Sequence, residues 1–112
     1  MSTIFNKIIN KEIPADIVYE NDTVLCFKDI NPIAPIHLLI IPKKEIPTVN
    51  DIKNDDKELM GDLFIAAKEV AKLLKIDKNG YRLIINCNEE GCQTVYHLHI
   101  HLIAGKKLGW MI

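Results

Sequence analysis

The 112-residue chain contains no long apolar run, no excess of charge of either sign and no Cys-x-x-Cys pair. Because it shows no 18-residue apolar segment and no signal peptide, we expect a soluble cytoplasmic protein without membrane contact, which could also enter the nucleus in a eukaryote. The net charge of −1 disfavours a nucleic-acid polymer as partner, since proteins that bind one usually carry a basic excess or stripe. Three cysteines, an odd number, favour reduced thiols over a disulfide framework.

Apolar periodicity predicts one α+β domain over residues 1–112, with an antiparallel sheet. Apolar residues recur at helical spacing between residues 59 and 74, with acidic residues before them and lysines after them, which complements the helix dipole. Short apolar runs bounded by turn residues predict strands. The expected helices span residues 3–9 and 55–74, and the expected strands span residues 17–20, 23–29, 37–41, 81–87 and 97–103.

Three of the four histidines lie within five residues, where His97, His99 and His101 alternate with aliphatic residues. A period of two predicts a strand with the imidazoles on one face and the aliphatic side chains on the other, where they pack a core. Near neutral pH an imidazole can take or give a proton, attack an electrophile or bind a metal. This segment therefore carries most of the functional information in the sequence.

Three interpretations of the histidine segment are open. A plain surface strand explains a lone histidine more readily than three in register. A zinc site can use two histidines at i and i+2, but His97 and His101 would lie about 13 Å apart at Cα, so His37 or a cysteine would have to contribute. Nucleophilic catalysis uses neutral imidazole, and the middle residue, His99, is best placed to attack because both neighbours can hold it. The spacing favours this third interpretation.

The chain resembles the histidine-triad (HIT) family, which is defined by His-φ-His-φ-His-φ-φ with φ apolar. Residues 97–103 match every position of that motif. The resemblance covers nearly the whole chain and points to the Hint branch. Residues 4–9 and 12–15 resemble the N-terminal segment of that branch, residues 27–32, 34–37 and 41–44 its nucleoside-binding strands, and Asn86 with residues 91–97 the loop that leads into the triad.

The resemblance implies a HIT-like fold with a five-stranded antiparallel sheet, one long and one short helix, and a homodimer whose two sheets join. It implies a purine nucleotide-binding hydrolase that cleaves the P–N bond of nucleoside 5′-monophosphate phosphoramidates of the AMP-lysine type. The reaction would pass through a covalent nucleotidyl-histidine and need no cofactor or metal. Two alternatives stay open: a nucleotide-responsive regulatory protein with weak or incidental hydrolysis, and a dinucleoside polyphosphate hydrolase.

The resemblance also assigns roles to individual residues. His99 matches the nucleophile, His101 the triad member that contacts phosphate, and His97 the member that supports the nucleophile through the local backbone. Asn86 and Thr94 match polar residues that contact the phosphate or the leaving group. The remaining implied nucleotide-binding residues are Asp29, which matches the carboxylate on the ribose hydroxyls, and Phe5, Ile8, Phe27, Ile30, His37, Leu39, Cys92, Gln93, Val95 and Trp110.

The residue types suit these roles but also have structural explanations. A carboxylate can accept two hydrogen bonds from a vicinal diol, yet Asp29 equally fits a turn. Apolar and aromatic side chains suit a flat base, yet Phe27 and Ile30 also fit a plain core. A loop with Gly91 and a hydroxyl can present N–H groups to a phosphate, yet it also fits a connecting turn.

The chain departs from the Hint pattern near the triad. Thr94 stands where Ser is usual; it keeps the hydroxyl, adds a methyl that stiffens χ1, and also occurs in the related branch that cleaves dinucleoside polyphosphates. Cys92 and Ala104 stand where Gly is usual, and Cys92 is strained if its position needs positive φ. After Trp110 the common Pro-Pro-Gly is missing. Because that tail approaches the partner subunit's site in the family, leaving-group specificity stays open.

Overall fold

The computed structural model describes residues 3–110. Within them the chain forms α1 (Ile4–Ile9), β1 (Ile17–Glu20), β2 (Val24–Lys28), β3 (Ile36–Pro42), two 3₁₀ turns (Val49–Asp51 and Asn54–Asp56), α2 (Lys57–Leu73), β4 (Arg82–Ile85) and β5 (Ile100–Ala104). The strands form one five-stranded antiparallel sheet in the order β1-β2-β3-β5-β4. The predicted α+β architecture, with one long and one short helix, is confirmed.

Apolar side chains cover both faces of the sheet. One face packs against α2 through Leu63, Ala66, Ala67, Val70 and Ala71. The other face packs against Phe5 and Ile8 of α1. Since both faces are covered, β2 and β3 are nearly continuous apolar runs, which explains why residues 37–41 show no alternation with polar residues.

The histidine strand is shorter than predicted, because β5 begins at Ile100 and only His101 of the triad lies within it. In the β3–β5 pair Ile40 lies opposite Ile100, and continuing that register by two residues sets Pro42 against Leu98. Proline has no N–H to donate, so the ladder cannot continue there. The Leu98 N–H instead donates to the carbonyl of Ile46, at 2.7 Å. The predicted alternation persists, since Leu98, Ile100 and Leu102 all belong to the core under α2.

Helix α2 begins two residues later than the predicted residue 55, because the residues before it form a 3₁₀ turn. The Asp56 carboxylate accepts a hydrogen bond from the Lys53 N–H at 2.9 Å and pairs with Lys44, which holds this tighter turn. The other predicted boundaries lie within two residues of those in the structure, which is within the usual fraying of element termini.

In the described part of the chain, no helix has both the length and the apolar composition needed to cross a membrane. The sequence expectation about the tail beyond Trp110 concerns Met111 and Ile112, which lie outside the described residues.

Candidate active site

A cavity of about 320 Å³ opens on the face of the sheet that carries α1. Apolar side chains form most of its wall, and His99, His101, Asp29 and Thr94 supply polar groups at one side. A second cavity, of about 420 Å³ at the far end of β3, contains none of the predicted site residues. The cavity under α1 is therefore the candidate site.

The cavity brings together most of the residues that the sequence singled out. Those that line it are Phe5, Ile8, Phe27, Asp29, Ile30, Leu39, Thr94, Val95, His99 and His101. The lining residues that the sequence analysis did not assign are Ile4, Ile13, Pro14, Ala15, Lys28 and Asn31. The sequence analysis noted residues 12–15 only because they resemble the N-terminal segment of the Hint branch. Ile4 could have been found from its spacing of four residues to Ile8, which places both side chains on one helix face.

Six predicted residues do not line the cavity. His97 is fully buried beside it, and His37 lies behind His101. Asn86 is half-buried just after β4, and Cys92 is exposed. The last two are Gln93, which is buried, and Trp110, which is 90% exposed.

The hydrogen bonds of His99 determine which of its nitrogens is free. Its Nδ1 lies 2.7 Å from the backbone carbonyl of His97. A carbonyl oxygen only accepts hydrogen bonds, so the neutral ring carries its proton on Nδ1 and an unshared electron pair on Nε2. The residue at the middle of the triad therefore presents a nucleophilic nitrogen.

His97 is held in the opposite tautomer. Its Nε2 donates to the carbonyl of Pro42 at 2.7 Å, which leaves Nδ1 bare and without a hydrogen-bond partner among residues 3–110. The side chain is 0% exposed, so it has no open path to a ligand. What His97 offers to the site is its backbone carbonyl, in keeping with the support through the backbone that the sequence suggested.

Phe5 of α1 packs against the rings of two triad histidines, His97 and His99. Its ring meets the His99 ring edge-on at 5.1 Å between centroids, the His97 ring at 5.9 Å and the Phe27 ring at 5.5 Å. Such edge-to-face contacts restrict the ring orientations. The short N-terminal helix, capped by a reciprocal pair of hydrogen bonds between Thr3 and Asn6, thus belongs to the site.

His101 contacts His37, which the sequence analysis listed among the nucleotide-binding residues. Its Nδ1 lies 2.9 Å from Nε2 of His37, and the Asp29 carboxylate lies 3.4 Å from that same Nε2. His37 and His101 are 64 residues apart in the chain. The β3–β5 register brings them together as diagonal neighbours on one face of the sheet, because His37 pairs with Ile103 and His101 with Leu39.

Burial keeps the triad neutral at physiological pH. Desolvation is the largest cause that lowers the pKa of His97 and His99 below the ordinary value of 6.5. The pKa of His101 falls to about 4, first through desolvation and then through the positive charges that His99 and His37 would carry. Asp29 opposes that shift only in part. The imidazoles of His99 and His101, which line the cavity, are therefore available as nucleophile and hydrogen-bonding group.

The loop before the triad has a fixed shape. Cys92 has φ +62°. The sequence analysis predicted strain at Cys92 if its position needs positive φ, and that condition is met. Gly91 packs so closely that a Cβ there would lie 2.7 Å from the Cys87 carbonyl oxygen. The buried Gln93 side chain accepts from the Asn88 N–H at 2.9 Å and donates to two further backbone carbonyls. Gln93 therefore organises the loop rather than lining the cavity.

One group of described side chains has the chemistry to hold a metal ion. It consists of Asp29, His37 and His101, each with a ligand atom within 4.8 Å of the others. His97 and His99, an i and i+2 pair of the kind considered for zinc in the sequence analysis, do not belong to this group. His97 and His99 each direct a ring nitrogen to a backbone carbonyl.

Comparison with known proteins finds close relatives over nearly the whole chain. Residues 10–108 match the HIT domain. A purine nucleoside phosphoramidase of Escherichia coli (strain K12) is 50% identical over 110 residues, which are 98% of this chain and 92% of that protein. A histidine triad protein from Clostridium difficile has a TM-score of 0.95 and 42% identity, covering 100% of both chains. A HIT family hydrolase from Legionella pneumophila Philadelphia 1 has a TM-score of 0.94 and 48% identity, covering 97% of both.

Proposed function

The chain belongs to the HIT domain family, and from that premise we propose that this HIT family hydrolase cleaves phosphoramidates of purine nucleoside 5′-monophosphates. The observation that carries the proposal is His99, which lines a cavity of about 320 Å³ and whose Nδ1 is held by a backbone carbonyl, so that Nε2 is left bare. The E. coli relative named as a purine nucleoside phosphoramidase supports the choice of substrate. We further propose a cytoplasmic location.

Different parts of the cavity wall suit the base, the ribose and the phosphate of a nucleotide. Phe5, Ile8, Phe27 and Leu39 offer an apolar surface to the base. The Asp29 carboxylate, which already accepts from the Asn31 N–H at 2.8 Å, has acceptor capacity left for the two ribose hydroxyls. These contacts would set the α-phosphorus near the histidines.

The neighbouring residue Ile30 is 87% exposed at the rim of this cavity. A bound nucleoside would cover part of that apolar side chain. We therefore assign Ile30 to the edge of the base pocket rather than to the core that the sequence left open as an alternative.

The proposed reaction has two steps. The Nε2 atom of His99 attacks the α-phosphorus, the P–N bond breaks, and the leaving amine takes up a proton from the solvent through Thr94 or a triad histidine. His101, the Thr94 hydroxyl and backbone N–H groups of the preceding loop offset charge on the phosphoryl oxygens. Water then attacks the phosphorus of nucleotidyl-His99, restores Nε2 and releases the nucleoside monophosphate, with loss of one proton.

Replacing the nucleophile gives the most direct test. In the variant His99→Ala, turnover of an adenosine phosphoramidate should fall by roughly 10⁴-fold or more, because the proposed nucleophile that forms the covalent intermediate is lost. AMP should still bind, since the base and ribose contacts remain. Steady-state kinetics and calorimetric titration with AMP measure the two effects, and rapid quenching of the wild type followed by mass spectrometry should find AMP on the peptide that contains His99.

Retained turnover in His99→Ala would overturn the nucleophile assignment. If the wild type binds AMP tightly but turns the phosphoramidate over no faster than an uncatalysed control, the regulatory alternative is correct. Preferential cleavage of a dinucleoside polyphosphate in the same assay would favour the other branch of the family.

We also propose a homodimer in which two β4 strands pair. β4 lies at an edge of the sheet, has three aliphatic residues among its four, and pairs with β5 in continuous register. An exposed regular edge of this kind can accept another strand. The opposite edge, β1, is less suitable because its pairing is irregular between Ile17 and Tyr19 and its last residue, Glu20, is paired with lysines.

A further inference from the structure

His37 is a buried histidine to which the proposed reaction gives no part. Its side chain is 5% exposed and sits between three polar groups. The backbone N–H of Ile33 donates to its Nδ1 at 3.2 Å, and its Nε2 lies 2.9 Å from Nδ1 of His101 and 3.4 Å from the Asp29 carboxylate. A buried neutral ring with both nitrogens engaged has its tautomer determined by its partners.

These contacts assign the proton on each ring. Because the Ile33 N–H is a donor, His37 Nδ1 must be bare, and the proton of the neutral ring lies on Nε2. The Nε2–H then donates to His101 Nδ1, so the proton of His101 lies on its own Nε2. That nitrogen is the one left over for a ligand in the cavity that His101 lines.

The same contacts decide against a metal ion held by Asp29, His37 and His101. A metal would have to bind Nε2 of His37, and a ring nitrogen binds a metal only without its proton. With a metal on Nε2, the neutral His37 ring would carry its proton on Nδ1. That position is already occupied by the N–H of Ile33, which donates a hydrogen bond to Nδ1. A chain of hydrogen bonds satisfies every donor, whereas the metal site does not.

We propose that His37 is a positioning residue that fixes the proton of His101 on Nε2, from where it donates to a phosphoryl oxygen. The inference rests on the proposed function for the phosphate contact, but the assignment of the tautomer does not. It is supported by the neutrality of His101, whose pKa is lowered to about 4. The ionisable groups near His101 are His99, whose ring centroid is 5.0 Å away, His37 and Asp29.

The tautomers can be tested without substrate. In ¹⁵N-labelled wild-type protein treated with a chelator, long-range ¹H–¹⁵N spectra should show bare Nδ1 and protonated Nε2 in both His37 and His101. A scalar coupling should connect His37 Nε2 with His101 Nδ1 across the N–H···N hydrogen bond. A proton on His101 Nδ1, or the absence of that coupling, would overturn the proposal.

Kinetics test the consequence with a matched pair of variants. His37→Phe keeps a planar ring but loses the donor, and kcat for an adenosine phosphoramidate should fall about tenfold to a hundredfold while KM changes little. His37→Gln can place an N–H near the original Nε2 and should recover most of the loss. Equal kcat in the wild type and His37→Phe, or equal losses in both variants, would contradict a positioning role.

The two arms separate this inference from the proposed function. If the spectra show the expected tautomers but the wild type turns over no phosphoramidate, the proposed substrate is wrong and the tautomer assignment stands. Where His37→Phe fails to fold, the wild-type spectra and the His37→Gln kinetics still decide. One metal ion per chain that co-purifies with the wild type and is lost in His37→Gln would overturn the hydrogen-bonded arrangement.

Discussion

At the scale of residues, different partners make three chemically identical side chains unequal. His97 donates to Pro42 and is closed off, while His99 donates to the backbone carbonyl of His97 and keeps a bare Nε2. His101 accepts from His37 and keeps a protonated nitrogen. Each imidazole thus has one nitrogen engaged within the protein, which determines what the other nitrogen can do.

The lowered pKa values make stability depend on pH. The pKa of each triad histidine lies below 6.5 in the folded protein, so between those values the unfolded chain binds more protons. The histidine contribution is therefore complete above pH 6.5 and declines as the pH falls below it, down to about 4 for His101. We expect a lower free energy of unfolding at pH 5 than at pH 7.5, by at most about 1.4 kcal/mol per pH unit for each histidine.

Urea unfolding at a series of pH values measures this slope, with His101→Gln as the control variant that should flatten it. Two carboxyl groups with lowered pKa values, those of Glu20 and Asp56, do not obscure the result. The pKa values of Glu20 and Asp56 are lowered by hydrogen bonds from lysines, so their contributions are lost only below their ordinary values of 4.5 and 3.8. Equal stability at pH 5 and pH 7.5 would contradict the burial of neutral histidines.

At the scale of elements, the site depends on what each element presents on its two faces. β3 contributes Leu38 and Ile40 to the core under α2, and Leu39 to the core under α1. Helix α2 contributes no residue to the cavity wall and covers the opposite face of the sheet. We infer that α2 acts on function only through the stability of the sheet.

Two leucines of α2 that differ in burial provide a test of this division. Leu63 is 1% exposed and Leu73 is 61% exposed. Leu63→Ala should lower the free energy of unfolding by about 2–5 kcal/mol, because it leaves a cavity in the core. Leu73→Ala should change it by less than about 0.5 kcal/mol, since leucine and alanine have similar helix propensities.

Chemical denaturation of both variants measures the difference. Under conditions where Leu63→Ala stays folded, its KM for a phosphoramidate should equal that of the wild type. A large cost for Leu73→Ala would mean that its end of α2 is covered by something outside the described fold.

At the scale of the whole molecule, the proposed dimer depends on which edge strand of the sheet pairs with a second chain. Ile85 at the β4 edge is 38% exposed, and Ile17 at the β1 edge is 37% exposed. A charge introduced where two strands would pair disfavours the pairing. Ile85→Lys should therefore shift the mass in solution from that of a dimer towards that of a monomer, while Ile17→Lys should not.

Light scattering coupled to size-exclusion chromatography over a dilution series measures the mass of both variants. Dissociation by Ile17→Lys alone would place the interface at β1. A wild-type chain that is monomeric at every concentration would overturn the proposed dimer.

Much of the fold and part of the site could be predicted from the sequence, because local patterns carry them. The alternation of histidine with aliphatic residues placed Leu98 in the core and His99 on the opposite side, and helical spacing found α2. The resemblance in residues 97–103 and in the segments before them singled out ten of the sixteen residues that line the cavity.

The tertiary structure alone decided how those residues are engaged. The end of the β5 ladder at Ile100 follows from Pro42 on a strand far away in the chain, and the partnership of His37 with His101 follows from the β3–β5 register. Periodicity determines which face a side chain occupies, because it depends only on the local backbone. Which side chain lies opposite depends on strand register, and so does the nitrogen of each histidine that is left free.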